Sequence, residues 1–174
     1  MKDFERITYL QEGNERQRAA FRVLAEHKVM EALKPFVPLL AGTIPIGIDT
    51  AESDLDIICC WSDKSSFCAV LNQHFSECQA YHIKEKEVKG RESVVARFYL
   101  GGFEVEVFGQ SRPSREQEAF RHMLVEYRLL QHHGEAFRQQ VLALKRQGMK
   151  TEPAFAKLLQ LQGDPYEALL SLQA

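Results

Sequence analysis

Between residues 93 and 109 the chain reads SVVARFYLGGFEVEVFG, a run in which apolar and mixed residues alternate around two adjacent glycines. Gly101 and Gly102 supply the positive φ angles that a two-residue hairpin turn requires and that other residues adopt only with strain. So short a loop leaves little freedom in the pairing. Leu100 must face Phe103, Tyr99 must face Glu104, Phe98 must face Val105, and Arg97 must face Glu106. Side chains on a strand alternate faces, so one face of this hairpin holds Val94, Ala96, Phe98, Leu100, Phe103, Val105 and Val107. Val95, Arg97, Tyr99, Glu104, Glu106 and Phe108 share the other.

Around the hairpin the periodicity predicts a helix over Asn14 to Lys34, capped at Gly13-Asn14 and ended by Pro35. A short apolar strand follows over Phe36 to Ala41, then a neighbouring strand over Leu55 to Cys60 and a helix over Ser65 to Phe75. Tyr81 to Val88 is a further strand. After Pro113 the chain reads as helical to its end. Ser114 is placed as a cap, Gly134 as a break, Gly148 as a stop, and Thr151-Glu152-Pro153 and Asp164-Pro165 as two more helix starts. Sheet first and helices last predict an α+β fold with a helical C-terminal cap. The chain reads as a single domain, with a sheet-bearing core over about 14–110 and C-terminal helices over about 114–174.

The stretch Gly42 to Cys59, GTIPIGIDTAESDLDIIC, puts Asp54 and Asp56 on one face of the second strand, since residues i and i+2 point the same way. Two carboxylates that close repel each other unless a cation lies between them or one stays protonated. Divalent cations that work on phosphates are hard ions and take carboxylate oxygens. Gly42-Thr43 lies upstream, where backbone amides can approach a phosphate. A glycine turn, a loop and paired acids on a strand form the layout of a metal-dependent phosphoryl or nucleotidyl transfer site.

These residues resemble the signature of the polymerase-beta-like nucleotidyltransferase superfamily: a Gly-Ser turn, a second Gly five residues on, then Ser-Asp-x-Asp. Gly42 and Thr43 fill the turn, Gly47 is the second glycine, and Ser53-Asp54-Leu55-Asp56-Ile57 closes the motif, with Gly42 and Asp54 12 positions apart. Thr43 replaces the usual serine and keeps its hydroxyl, whereas Ile44 and Ile46 stand where minimal members often carry Arg or another polar residue. The segments FEVEVFGQ, QEAFRHMLVEYRLL and KTEPAFAKLLQLQGDPYEALL resemble more narrowly an uncharacterised bacterial family of about this length.

The resemblance implies a nucleotidyltransferase-like mixed β-sheet with flanking helices, Mg²⁺ or Mn²⁺ as cofactor, and a nucleoside triphosphate as partner. It places Asp54 and Asp56 as metal ligands and Gly42, Thr43, Gly47 and Ser53 at the nucleotide. Two-metal nucleotidyl transfer needs a third carboxylate. Glu104 and Glu106 both offer one, and Glu106 is preferred because it lies nearer the strand centre. Its other reading is a cross-strand ion pair with Arg97. Arg121 and Arg112 are candidates for neutralising a triphosphate. His122 is either a general base or phosphate contact, or a partly buried histidine bonded to Glu118 or Glu126.

Twenty-two basic against 24 acidic residues give a net charge of −2, which weighs against broad binding of nucleic acid. The charged N-terminus has no apolar h-region, and no apolar run approaches the roughly 20 residues of a membrane span. Cys59, Cys60, Cys68 and Cys78 show no paired C-x-x-C spacing and read as small hydrophobes in a reducing compartment, which makes the cytoplasm the expected location. The leading expectation is transfer of a nucleotidyl group to an unidentified hydroxyl acceptor. The alternative is a catalytically inactive nucleotide- or protein-binding module on the same fold.

Overall fold

The computed structural model describes residues 3–172. Five strands form one mixed sheet: β1 (Leu39–Ala41), β2 (Leu55–Cys60), β3 (Gln79–Val88), β4 (Arg91–Leu100) and β5 (Phe103–Gln110). Their spatial order is β1-β2-β5-β4-β3, with β2 and β5 parallel and every other pair antiparallel. The β4–β5 hairpin has the register that its two glycines dictate, Leu100 opposite Phe103 through Arg97 opposite Glu106. Gly101 and Gly102 both hold positive φ, 55° and 84°.

Helices cover both faces of the sheet. On one face, α1 (Glu15–Glu26), α2 (Val29–Ala32) and α3 (Lys64–Phe75) enclose Leu55, Ile57, Val94, Ala96, Phe98, Val105 and Val107 in a continuous apolar core. On the other, α4 (Glu118–Arg146), α5 (Thr151–Leu158) and α6 (Pro165–Ser171) pack Phe120, Met123, Phe137, Val141, Phe155 and Leu169 against Leu39, Ala41 and Ile58. This second layer covers β1 and the end of β2. Toward β4 the same face opens, and Arg97 and Tyr99 are exposed there.

β3 and β4 each begin two residues earlier than expected, at Gln79 and Arg91, and three other boundaries differ further. The helix expected over Asn14 to Lys34 is broken, because Lys28 takes a left-handed conformation (φ 51°) between α1 and α2. Pro35 then falls in the first turn of a short 3-10 helix, Lys34–Phe36, where its missing N–H removes no bond. β1 is shorter than expected, since Val37 (φ 49°) is left-handed and Pro38 cannot donate to a ladder. Ser114 opens a 3-10 turn, Ser114–Glu116, and its hydroxyl donates to the Val37 carbonyl at 2.7 Å; α4 begins after Gln117. Gly134 does interrupt α4, with φ 76° and ψ −167°. Asp164 caps α6 by accepting from the amides of Tyr166 and Glu167, each at 3.0 Å.

Candidate active site

The parallel β2–β5 register sets Asp56 opposite Glu106, and the antiparallel β5–β4 register sets Glu106 opposite Arg97. Asp54 lies two residues before Asp56, just ahead of the first residue of β2, and its charge acts on Asp56; Glu104 and Glu106 share a face of β5 by alternation. Leu55, Ile57, Val105 and Val107 point the other way into the core, fully buried. That burial locks the register, because a slip of one residue would drive the carboxylates into the core. Burial, then repulsion from Asp54 and Glu106, pushes the Asp56 carboxyl up to about 8, against an opposing pull from Arg97. Burial also raises Asp54, opposed by a backbone hydrogen bond and assisted by Glu106 and Glu104.

The Gly42 turn lies directly against this pair. Gly42 holds φ +79°, and a Cβ there would stand 2.2 Å from Asp56 Oδ2. Only glycine therefore allows the turn and the carboxylate to approach so closely. Thr43 and Ser53 meet across the loop with their hydroxyl oxygens 3.1 Å apart, and Ser53 Oγ accepts from the Thr50 amide at 2.9 Å. Gly47, at φ +69°, belongs to a tight turn in which the Ile48 amide donates to the Thr43 carbonyl. Ile44 is buried in the first core, and Ile46 and Ile48 in the second. The apolar residues found in place of polar ones thus anchor the loop in the protein rather than lining the site.

Several residues that hold this loop were not foreseen from sequence. Gln17 Nε2 donates to the carbonyls of Ile44 and Pro45 at 2.8 and 3.1 Å. Arg138 donates to those of Ile46 and Gly47, and Lys145 to that of Ile48 at 2.8 Å. Arg16 reaches the carbonyls of Ala51 and Ser53 and stands 3.4 Å from Asp49. Each satisfies a carbonyl that the irregular backbone leaves without a ladder partner. A polar side chain buried in an apolar helix stripe, Gln17, was the one signal available. Lys145 matters for another reason: burial lowers its ammonium, while Glu126, Asp49, Glu152 and Asp56 all act to raise it.

The remaining candidates are dispersed. His122 is buried, and its Nε2 bonds with the Tyr166 carbonyl at 2.9 Å, tying α4 to α6. Its Nδ1 lies 4.0 Å from Glu152. The expected bonds to Glu118 or Glu126 are not formed: Glu118 pairs with Lys89 at 2.7 Å instead. Arg121 is half-buried on α4, and neither it nor His122 lines the cavity beside the carboxylates. That cavity, about 260 Å³, has Asp56 and Glu106 at one end, Arg112 and the start of α4 on one side, and β3 on the other.

Glu106 is engaged by Arg97 through both Nε, at 2.7 Å, and Nη2. Among the described residues, no three His, Cys, Asp or Glu side chains group closely enough to hold a metal ion. The donor chemistry nonetheless suits a hard divalent cation: Asp54 and Asp56 offer only carboxylate oxygens, and the charge of Asp54 opposes ionisation of Asp56. Glu106 joins them only if Arg97 releases it.

The fold has solved counterparts. Cid1, an RNA terminal uridylyl transferase, matches with a TM-score of 0.52 at 10% identity, covering 80% of this chain and 45% of Cid1. In the GLD-2/RNP-8 complex the match has a TM-score of 0.51 at 10% identity, over 88% of this chain and 62% of the other. The polymerase core of TRAMP, an RNA surveillance complex, gives 0.51 at 12% identity, over 94% and 50%. This chain thus spans about half to three fifths of each of them. No curated protein matches the sequence. Among the described residues, no helix is long and apolar enough to cross a membrane. The α+β architecture is that of the nucleotidyltransferase fold, and the chain belongs to the family described as Domain of unknown function (DUF4269), whose model matches residues 22–172.

Proposed function

We propose that this protein is a metal-dependent nucleotidyltransferase that moves a nucleotidyl group from a nucleoside triphosphate to a hydroxyl acceptor. The observation that carries this reading is the pairing of Asp56 with Glu106 across parallel strands, on the face where Gly42 packs against Asp56. Cid1 bound to MgGTP and to MgATP supports a nucleotide with its magnesium as the ligand of such a fold.

Asp54 and Asp56 would hold Mg²⁺ (or Mn²⁺), with Glu106 as a third ligand. Bound there, the ion would supply neutralising charge to the triphosphate and a lowered pKa to the attacking hydroxyl. The Gly42-Thr43 turn would receive the β and γ phosphates, and the carbonyl clamps from Gln17, Arg138 and Lys145 would keep that turn rigid. In the reaction the acceptor oxygen bonds to the α-phosphorus and the bond from that phosphorus to the bridging oxygen breaks. Pyrophosphate leaves with the electron pair, and the hydroxyl proton passes to a carboxylate or to solvent. Catalysis is then mostly positioning and charge neutralisation.

Two observations favour a second reading. Arg97 already occupies Glu106, and Ile44 and Ile46 are buried where a polar grip on nucleotide would be expected. A nucleotide- or protein-binding module without turnover would have this arrangement. Incubation with labelled ATP, CTP, GTP and UTP plus Mg²⁺ or Mn²⁺ separates the two. A labelled product supports the enzyme. A rise in melting temperature with a nucleotide but no product supports the binding module, since a ligand specific for the folded state stabilises it. Neither response would remove both readings.

A further inference from the structure

Across the sheet from the Gly42 turn, on the far side of β2, the cavity carries positive charge that the carboxylates do not balance. Three acids line it: Asp56, Glu106 and Glu118. Arg97 engages Glu106, and Lys89 engages Glu118 at 2.7 and 2.9 Å. Lys86, Arg91 and Arg112 line it as well. Among the described residues, Lys86 and Arg91 have no carboxylate within ion-pair distance, and Arg112 reaches Glu116 only at 4.0 Å. Lys86 instead sets its Nζ 5.7 Å from the centre of the Phe108 ring, over a flat apolar wall.

Gln117 adds an independent mark. Only 3% exposed, it lines the same cavity. Its Nε2 donates to the carbonyls of Cys59 and Arg112 at 2.8 and 3.0 Å, which fixes the amide's orientation. Among the described residues, its Oε1 is buried without a hydrogen-bond partner. A buried acceptor so held is satisfied by an N–H or O–H arriving from outside the protein.

We propose that this cavity binds the second substrate, a small phosphorylated molecule with a flat heteroaromatic body and a hydrogen-bond donor. Its phosphate draws Lys86 off the Phe108 ring and meets it together with Arg91 and Arg112, its flat body takes the ring face that Lys86 leaves, and its donor reaches Gln117 Oε1. The assignment as acceptor rests on the nucleotidyltransferase reading, with the triphosphate on the Gly42 side of Asp56 and the acceptor on the Glu106 side. The acceptor's hydroxyl would then undergo the bond changes given above. A volume of about 260 Å³ falls near the lower end of small-molecule sites, which suits a compact molecule rather than a nucleic-acid strand.

The probe is AMP, which carries one phosphate, a purine and an amine donor, titrated calorimetrically in the absence of divalent metal. Saturable binding is expected in the unaltered protein. Lys86→Gln with Arg91→Gln, both at exposed positions, should weaken it about tenfold or more, the worth of a charge-assisted hydrogen bond. Glu52→Gln, at an exposed position outside the cavity lining, should leave it unchanged. ATP with Mg²⁺ should bind alongside AMP rather than displace it. The proposal is overturned if AMP shows no saturable binding at millimolar concentration, if the double variant binds it as well as the unaltered protein, or if MgATP displaces it competitively. AMP bound where MgATP fails to bind would uphold the site and remove the nucleotidyl-transfer reading alone.

Discussion

Replacing Glu126 with glutamine should change how stability depends on pH. Glu126 lies on α4, 3% exposed, with its Oε1 lacking a hydrogen-bond partner among the described residues. Burial first, then the charge of Glu152, holds its carboxyl up at about 8 against an ordinary 4.5, with Lys145 pulling the other way. Between those two values the unfolded chain loses this proton and the folded protein keeps it. Folding therefore takes up a proton, and stability falls as the pH rises. The favourable contribution is full below the ordinary value and is lost as the pH rises through about 8. At about 1.36 kcal/mol for each pKa unit, the whole effect is at most about 4–5 kcal/mol. Local relaxation and water entry around the ionised group reduce it. Glu126→Gln keeps the shape and removes the titration. Its amide brings a polar cost of its own that does not vary with pH, so the slope rather than the absolute value is the readout. Urea denaturation from about pH 5 to about pH 9 should show the unaltered protein losing stability faster than the variant. Some slope will remain in the variant, because the raised Asp56 carboxyl contributes in the same direction. Parallel curves would refute a Glu126 that stays protonated in the fold.

Asp54→Asn with Asp56→Asn should abolish metal-dependent nucleotide binding in calorimetry while leaving the fold intact, and should raise the melting temperature above pH 8 by removing a buried acid whose ionisation its neighbour opposes. A large loss of stability in metal-free buffer would show these residues to be structural. Arg97→Ala should tighten Mg²⁺ binding by about fivefold or less, since a half-exposed ion pair is worth at most about 1 kcal/mol. Glu106→Gln should weaken Mg²⁺ binding much more, and an unchanged titration would leave Glu106 as the partner of Arg97 alone. Gly42→Ala should lower stability by about 1–3 kcal/mol from the left-handed backbone alone, and should also push the Asp56 carboxylate away from its position against the turn. Urea melts and metal titration of that variant test both effects, and a neutral outcome would mean that the turn and Asp56 are not in contact.

Where local chemistry was decisive, the reading from sequence and the structure agree. Two glycines leave a hairpin one register, so the Arg97–Glu106 pairing followed from spacing alone. The spacing likewise pointed to Asp54 and Asp56 as close neighbours, although β2 begins only at Leu55 and Asp54 precedes it, and the glycine, hydroxyl and acid offsets around them needed no partner element to be legible. Less local features were less visible. The break at Lys28 leaves no mark in an apolar stripe that continues past it. The roles of Arg16, Gln17, Arg138 and Lys145 were hidden because their partners are loop carbonyls 27 to 97 residues away. A surface arginine and a loop-clamping one read identically in one dimension.

His122 shows the limit most directly. Its place near acids on a helix allowed both a chemical and a structural role, and only the docking of α6 supplied the Tyr166 carbonyl that it bonds. The cavity is a similar case, since Lys86 comes from β3, Gln110 from β5 and Gln117 from the position just before α4, and nothing in their order brings them together. By itself the sequence determined the hairpin, the paired acids and the glycine turn beside them, because strand alternation and positive-φ turns are properties of a few adjacent residues. Only the tertiary structure decided that β2 and β5 run parallel in register, that Arg97 holds Glu106, and that one end of the carboxylate face opens into a basic cavity. Those features depend on which strands become neighbours, and that choice is made by the burial of two cores drawn from the whole chain.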